Sequence, residues 1–103
     1  MTQIAFSHCG GYLSGFVMQG HTSDNASEKG RLVCAALSSA AYMCANTLTE
    51  VIGLKCDTEV RDGYMRIEVA GDLCPAQQCL KGLRLHFGEL KTQYPQHITL
   101  IDE

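Results

Sequence analysis

The fold and the candidate chemistry both centre on residues 20–39, which read GHTSDNASEKGRLVCAALSS. A histidine follows a glycine at the end of an apolar run, and a small, polar, glycine-ended loop comes next. Apolar residues then recur at helical spacing, which predicts a helix over 31–52 with Cys34 in its first turns. This layout places a base, His21, and a thiol at the two ends of one loop.

The residue types at these two positions are those of a nucleophile–base pair. Only a thiolate attacks a carbonyl carbon efficiently, and both a helix N-terminus and a nearby imidazolium favour the thiolate. If the helix begins near Arg31, Cys34 lies about one turn inside it, and the backbone N–H groups at the helix start are available to an oxyanion. His21 could accept the thiol proton and later return it to the leaving group.

Three nearby polar residues could support such a pair. Ser38 is four residues after Cys34 and therefore shares its helix face, where a hydroxyl could bond a thiolate or a bound carbonyl. Asp24 and Glu28 are the carboxylates that could orient His21.

Each of these residues also has an ordinary structural interpretation. Cysteine is among the most buried residue types, so from chemistry alone a packed thiol is the preferred interpretation of Cys34. His21 could be a loop histidine without a role, and Ser38 a solvent-facing hydroxyl. Asp24, Asn25 and Ser27 could be capping residues and nothing more.

Gly20-His21-Thr22, the polar loop and the run from Leu32 to Ser38 together resemble the signature of the ribosomal-processing cysteine protease Prp family. The resemblance extends over the whole chain, including a hairpin around residues 62–64 and a late helix. It implies that His21 and Cys34 are a catalytic dyad. It also implies a homodimer whose substrate is the N-terminal extension of protein twenty-seven of the large ribosomal subunit.

One position departs from the family pattern, because Arg31 stands where the family often carries an aspartate three residues before the cysteine. An arginine there could stabilise the thiolate or bind substrate backbone or carboxylate groups. The loop residues Gly20, Thr22 and Gly30 are expected to contact an extended peptide with apolar or aromatic residues near the cut.

The leading hypothesis is therefore a cysteine endopeptidase, which is a hydrolase. The alternative is a non-proteolytic, ribosome-associated binding or assembly module with the same fold, and Arg31 favours it. A third hypothesis is a thiol redox sensor that uses Cys34. A protease needs both Cys34 and His21, whereas a sensor needs chiefly the thiol and a binding module needs neither.

Composition is that of a single globular domain over residues 1–103, with 46% hydrophobic and 18% charged residues. The net charge of −3 argues against direct nucleic-acid binding, which requires a basic surface, and suits attraction to a basic ribosomal protein. The longest apolar stretch, 33–45, is too short to span a bilayer, so no membrane partner is expected.

The six cysteines indicate a cytoplasmic protein with reduced thiols, because the N-terminus does not resemble a signal peptide. The sequence has no Cys-x-x-Cys pair, and neither a metal site nor a cofactor is expected. The five cysteines other than Cys34 are assigned to packing or to no specific role.

Alternating apolar and polar residues predict strands over 3–8, 12–19, 54–61 and 64–70, with a short last strand near residue 98. A second helix is predicted to start at Pro75 and to end before Pro95. This order predicts a two-layer α+β fold, with both helices on one face of a mainly antiparallel, mixed sheet of about five strands.

Overall fold

A computed structural model describes residues 1–20 and 27–102. The described elements are β1 (Thr2–Cys9), β2 (Tyr12–Gln19), α1 (Glu28–Asn46), β3 (Cys56–Arg61), β4 (Tyr64–Val69), α2 (Gln77–Gln93) and β5 (Ile98–Asp102). A π-helical turn over Thr47–Val51 continues α1, and a 3-10 turn over Cys74–Ala76 precedes α2.

The five strands form one sheet in the order β3-β4-β2-β1-β5. The neighbouring strands are antiparallel except for β1 and β5, which are parallel. The chain crosses from β2 to β3 through α1, and both helices pack on the face that carries the buried side chains. The predicted α+β fold with a mixed five-stranded sheet is confirmed.

The core lies between this sheet face and the two helices. Phe6 of β1 is its centre, with ring centroids 6.0 Å from Phe16 and 6.2 Å from Phe87. The largest fully buried side chains come from both layers and are Phe6, Phe16, Phe87, Ile4, Leu37, Leu48, Ile67, Leu80 and Ile98. Burial of these side chains contributes about 2 kcal/mol each before the entropy cost of folding.

Helix α1 begins three residues earlier than predicted. Ser27 is its N-cap, and the Ser27 hydroxyl accepts a hydrogen bond from the backbone N–H of Gly30 at 2.9 Å. The assignment of Gly30 to the loop is therefore wrong, because Gly30 is buried in the first turn of the helix. The serine cap satisfies an N–H group that the predicted start near Arg31 would have left unpaired.

The helical segment Glu28–Val51 is, by length and composition, long and apolar enough to cross a membrane. This segment is longer than the apolar stretch 33–45 because the helix also includes the residues on both sides of it. Core helices of soluble proteins have the same property, and five residues of α1 are buried against the sheet or α2: Gly30, Val33, Leu37, Ala41 and Cys44. The absence of a membrane partner stays a prediction.

A β-bulge in the β1–β2 pair is held by a side chain of α2. The pairing register shifts between Ser7 and His8, and the buried Gln77 side chain bonds the backbone of Leu13 beside this shift. Its Oε1 accepts from the Leu13 N–H at 3.0 Å, and its Nε2 donates to the carbonyls of Leu13 and Leu73, both at 2.8 Å. The β2–β4 pairing ends at Gly15, so Gln77 supplies hydrogen-bond partners to a β2 residue that lies beyond that end.

Strands β2 and β4 approach closely at Gly15. A Cβ atom built on Gly15 would lie 2.0 Å from the carbonyl oxygen of Ile67 and 2.9 Å from the Cα of Glu68. Because both obstacles are backbone atoms in a central strand pair, they cannot move without separating the strands.

We predict that Gly15→Ala lowers the free energy of unfolding by about 3 kcal/mol, because the methyl group overlaps the β4 backbone. Gly88→Ala is the matched control, since a Cβ there meets nothing within 4 Å, and it should raise stability by about 0.5–1 kcal/mol through helix propensity. Urea unfolding measures both. Equal stability of the two variants would contradict the close contact.

We also predict that Gln77→Leu costs about 2 kcal/mol, because it leaves the buried N–H and carbonyl groups of Leu13 without partners. Gln78→Leu, at the exposed neighbouring position, should change stability by less than about 0.5 kcal/mol. Thermal or urea unfolding distinguishes the two. A Gln77 variant as stable as the Gln78 variant would show that water can bond the N–H and carbonyl of Leu13 instead.

Candidate active site

Cys34 is the seventh residue of α1 and is half-buried. It therefore lies nearly two turns inside the helix, and the prediction of about one turn is wrong because the helix starts at Glu28. The helix dipole acts mainly within the first turn, so it favours a thiolate at this position less than expected. The N–H groups without an intrahelical partner also precede Cys34 by a full turn or more. The Ser27 hydroxyl accepts from one of them, that of Gly30.

Cys34 lines a cavity of about 440 Å³ between α1, the end of β2 and the β3–β4 hairpin. This volume is in the range of small-ligand or side-chain pockets. Leu37, Ser38 and Tyr42 continue the α1 wall after Cys34. The remaining lining residues come from the sheet and are Thr2, Met18, Gln19, Gly20, Val60, Arg61, Asp62, Gly63, Tyr64 and Met65.

Gly20 joins the strand end to the hairpin at the rim of this cavity. Its N–H donates to the carbonyl of Gly63 at 3.0 Å, and its carbonyl accepts from the Thr2 hydroxyl at 3.2 Å. Its φ of 84° is in the left-handed region that glycine tolerates without strain. Gly20, at the end of β2, is thus fixed beside the cavity.

The hairpin side of the cavity carries both charge and aromatic surface. The Arg61 guanidinium lies 3.9 Å from the centroid of the Tyr64 ring, and its Nη1 lies 3.3 Å from Oε2 of Glu59. Arg61 and Asp62 are exposed at the hairpin tip, whereas Met65 is buried. The cavity therefore offers an apolar interior and a charged entrance, which suits the side chain of a bound peptide.

The structure brings three of the predicted site residues together. Cys34, Ser38 and Gly20 all line the cavity. Gly30 is buried in the helix start, and Arg31 is exposed on α1, three residues before the cysteine, and is not among the lining residues. Neither of them therefore forms the cavity wall.

The other three predicted residues, His21, Thr22 and Asp24, lie outside the described residues. Their roles stay predictions from the sequence and the family resemblance.

Sequence reasoning missed the hairpin wall and Tyr42. The alternation of β3 and β4 indicates that Val60 and Met65 share the inner face, and the Asp62-Gly63 turn predicts the hairpin itself. No sequence signal places this hairpin beside Gly20, because that depends on β4 pairing with β2 rather than on any local pattern.

All six cysteines are described, and Cys34 alone lines this cavity. Cys9 and Cys74 are exposed elsewhere. Burial raises the pKa of the Cys56 thiol, and burial together with a hydrogen bond to Cys79 raises that of Cys44 strongly. A raised pKa disfavours the thiolate and neither residue lines the cavity, so Cys44 and Cys56 are not candidates for attack on a carbonyl carbon bound there.

Comparison with known proteins decides the family. The family model for peptidase Prp, described as cysteine protease Prp, matches residues 1–99. The chain belongs to the Prp family of cysteine proteases. The predicted resemblance is therefore confirmed, and the family is one of cysteine proteases, which are hydrolases. No curated protein sequence gives a significant match.

Solved structures share the Prp fold over the whole chain. The essential ribosomal processing protease Prp from Staphylococcus aureus in complex with a substrate peptide has a TM-score of 0.88 at 19% identity, with full coverage of both chains. The same protease with a covalently linked product peptide gives 0.83 at 20% identity, also with full coverage of both. SMU.848 from Streptococcus mutans gives 0.80 at 20% identity, covering 100% of this chain and 96% of that one.

Two adjacent serines of α1 provide a steric test of whether Cys34 lies in the cavity. Ser38→Phe should slow alkylation of Cys34 by iodoacetamide about tenfold or more, because position 38 shares the cavity wall with the thiol one turn away. Ser39→Phe is the control, since Ser39 is exposed and lines a different groove. Peptide mass spectrometry measures the rate at each cysteine.

Alkylation of Cys74 should be equal in both serine variants, which reports any general loss of structure. Slowing of Cys34 by the Ser39 variant as much as by the Ser38 variant would contradict the assigned cavity.

Proposed function

We propose that this Prp-family protein is the endopeptidase that removes the N-terminal extension from protein twenty-seven of the large ribosomal subunit. The observation that carries the proposal is that Cys34, at the family's predicted nucleophile position, is the one cysteine that lines the cavity. Solved structures of the same fold are described as a ribosomal processing protease with a substrate peptide and with a covalently linked product peptide.

In the proposed mechanism, His21 takes the thiol proton and the Cys34 sulfur forms a bond to the scissile carbonyl carbon. The tetrahedral intermediate collapses as the amine leaves with the proton from His21, which produces an acyl-enzyme. Water activated by His21 then attacks the acyl carbon and regenerates the thiol. His21 directly follows Gly20, a cavity residue, and this supports its assignment as the base.

Ser38 is the described side chain best suited to assist the carbonyl oxygen. Its hydroxyl follows Cys34 by one helical turn on the same cavity wall and can donate to a developing oxyanion. Asp24 is proposed as the carboxylate that orients His21. Arg31, exposed near the nucleophile, is proposed to contact peptide carboxylate or carbonyl groups outside the cavity.

The proposed substrate is an extended peptide with an apolar or aromatic side chain next to the cut. Leu37, Met18 and Met65 form a buried apolar floor, and the rings of Tyr42 and Tyr64 flank it. Burial of an apolar substrate side chain against this surface favours binding. A charged side chain would lose its hydration there, which disfavours binding.

We further propose that the protein is a cytoplasmic homodimer that binds neither nucleic acid directly nor membranes. Its net charge of −3 complements the basic character of ribosomal proteins.

A second candidate function is a non-proteolytic binding or assembly module on the ribosome. Arg31 favours it, because the family often has an aspartate at this position and a lost carboxylate could weaken the base. The cavity would then hold the peptide without cleaving it.

The decisive experiment is mass spectrometry of the ribosomal protein's N-terminus after incubation with this protein. We predict cleavage by wild type and a loss of at least about 1000-fold in Cys34→Ala and His21→Ala, since each removes a partner of the covalent step. Cys74→Ala, which alters an exposed cysteine away from the cavity, should cleave like wild type.

Peptide binding is measured in parallel with the Cys34→Ala variant. Binding without cleavage by wild type, on a substrate with a genuine extension, would favour the binding module over the protease. Full activity of the Cys34 variant would exclude the proposed nucleophile.

A further inference from the structure

A second pair of thiols lies between the two helices, away from the cavity. The sulfur atoms of Cys44 in α1 and Cys79 in α2 are 3.3 Å apart, and both cysteines are reduced. Each thiol also lies near the backbone of the other residue: the Cys44 sulfur is 4.0 Å from the Cys79 carbonyl oxygen, and the Cys79 sulfur is 3.7 Å from that of Cys44. The two helices therefore hold both sulfurs in mutual contact.

We propose that Cys44 and Cys79 form a reversible disulfide that cross-links α1 to α2 when a hydroperoxide oxidises the protein. A disulfide requires sulfurs about 2.05 Å apart, so the two atoms need to approach by about 1.3 Å, which side-chain rotation supplies. The proposal does not depend on protease activity, because neither residue lines the cavity of Cys34.

The surroundings give the two thiols different roles. Cys44 is only 5% exposed, whereas Cys79 is half-buried. Both line an open groove of about 880 Å³ between the helices, where Ala40 and Gly82 leave room for a small oxidant. Cys79 is therefore the thiol that the hydroperoxide reaches first, and Cys44 is the resolving thiol.

The chemistry balances in two steps. The Cys79 sulfur attacks the peroxide oxygen, the O–O bond breaks, and a sulfenic acid and one water (or alcohol) form. The Cys44 sulfur then attacks the Cys79 sulfur, the S–O bond breaks, and the thiol proton leaves with the hydroxide as water. Two thiols are oxidised and one peroxide is reduced.

The test exposes the full-length protein to hydrogen peroxide, blocks free thiols with iodoacetamide and maps linked peptides by non-reducing mass spectrometry. We expect a peptide pair joined through Cys44 and Cys79 that dithiothreitol separates. The cross-link should raise Tm by about 5 °C or more, because it closes a long loop of the unfolded chain.

Cys79→Ser should abolish both the linked peptide and the Tm increase, whereas Cys56→Ser, at a half-buried cysteine near Cys44, should retain both. A second variant, Cys79→Ala, keeps the test valid if the serine disturbs packing. Oxidation of Cys79 to sulfinic acid without a link, or a Cys44–Cys56 link in equal yield, would overturn the proposal.

Discussion

The close contact of β2 with β4 at Gly15 is the constraint on which the cavity depends. Because no side chain separates the strands there, β4 pairs with β2 from Gly15 opposite Glu68 to Gln19 opposite Tyr64. This register brings the hairpin tip to the end of β2, where the N–H of Gly20 bonds Gly63. A wider separation of these central strands would move one wall of the cavity away from Cys34.

The buried polar groups explain why α2 takes its position on the same sheet. Leu13 lies beside the bulge and beyond the end of the β2–β4 pairing, and the buried Gln77 amide from α2 bonds both its N–H and its carbonyl. Such a bond is specific in direction, whereas hydrophobic burial alone tolerates many orientations of a helix. Phe87 then packs on Phe6 and completes the layer contact farther along α2.

A thiol in the interior of a packed helix has a well-fixed position but little help from the helix dipole. Val33 precedes Cys34 in α1 and Leu37 follows it, and both are buried, so the helix around Cys34 is packed in place. That rigidity suits a nucleophile, whose position relative to the carbonyl carbon must be correct to within a few tenths of an ångström. In the proposed mechanism, formation of the thiolate therefore relies on His21 rather than on the helix start.

The sequence by itself determined the element types and the hairpin turns, and it predicted Cys34 as the nucleophile. These follow from local rules, namely apolar periodicity, the Asp62-Gly63 turn signal and the residue pattern around Cys34. It did not locate the start of α1, because Ser27 and Gly30 also fit a loop until the serine hydroxyl is seen to cap the helix. The strand order, the cavity wall opposite Cys34 and the contact of the Cys44 and Cys79 thiols were decided only by the tertiary structure. Each depends on residues far apart in the chain, whose approach is fixed by backbone fit and side-chain packing across layers rather than by any local preference.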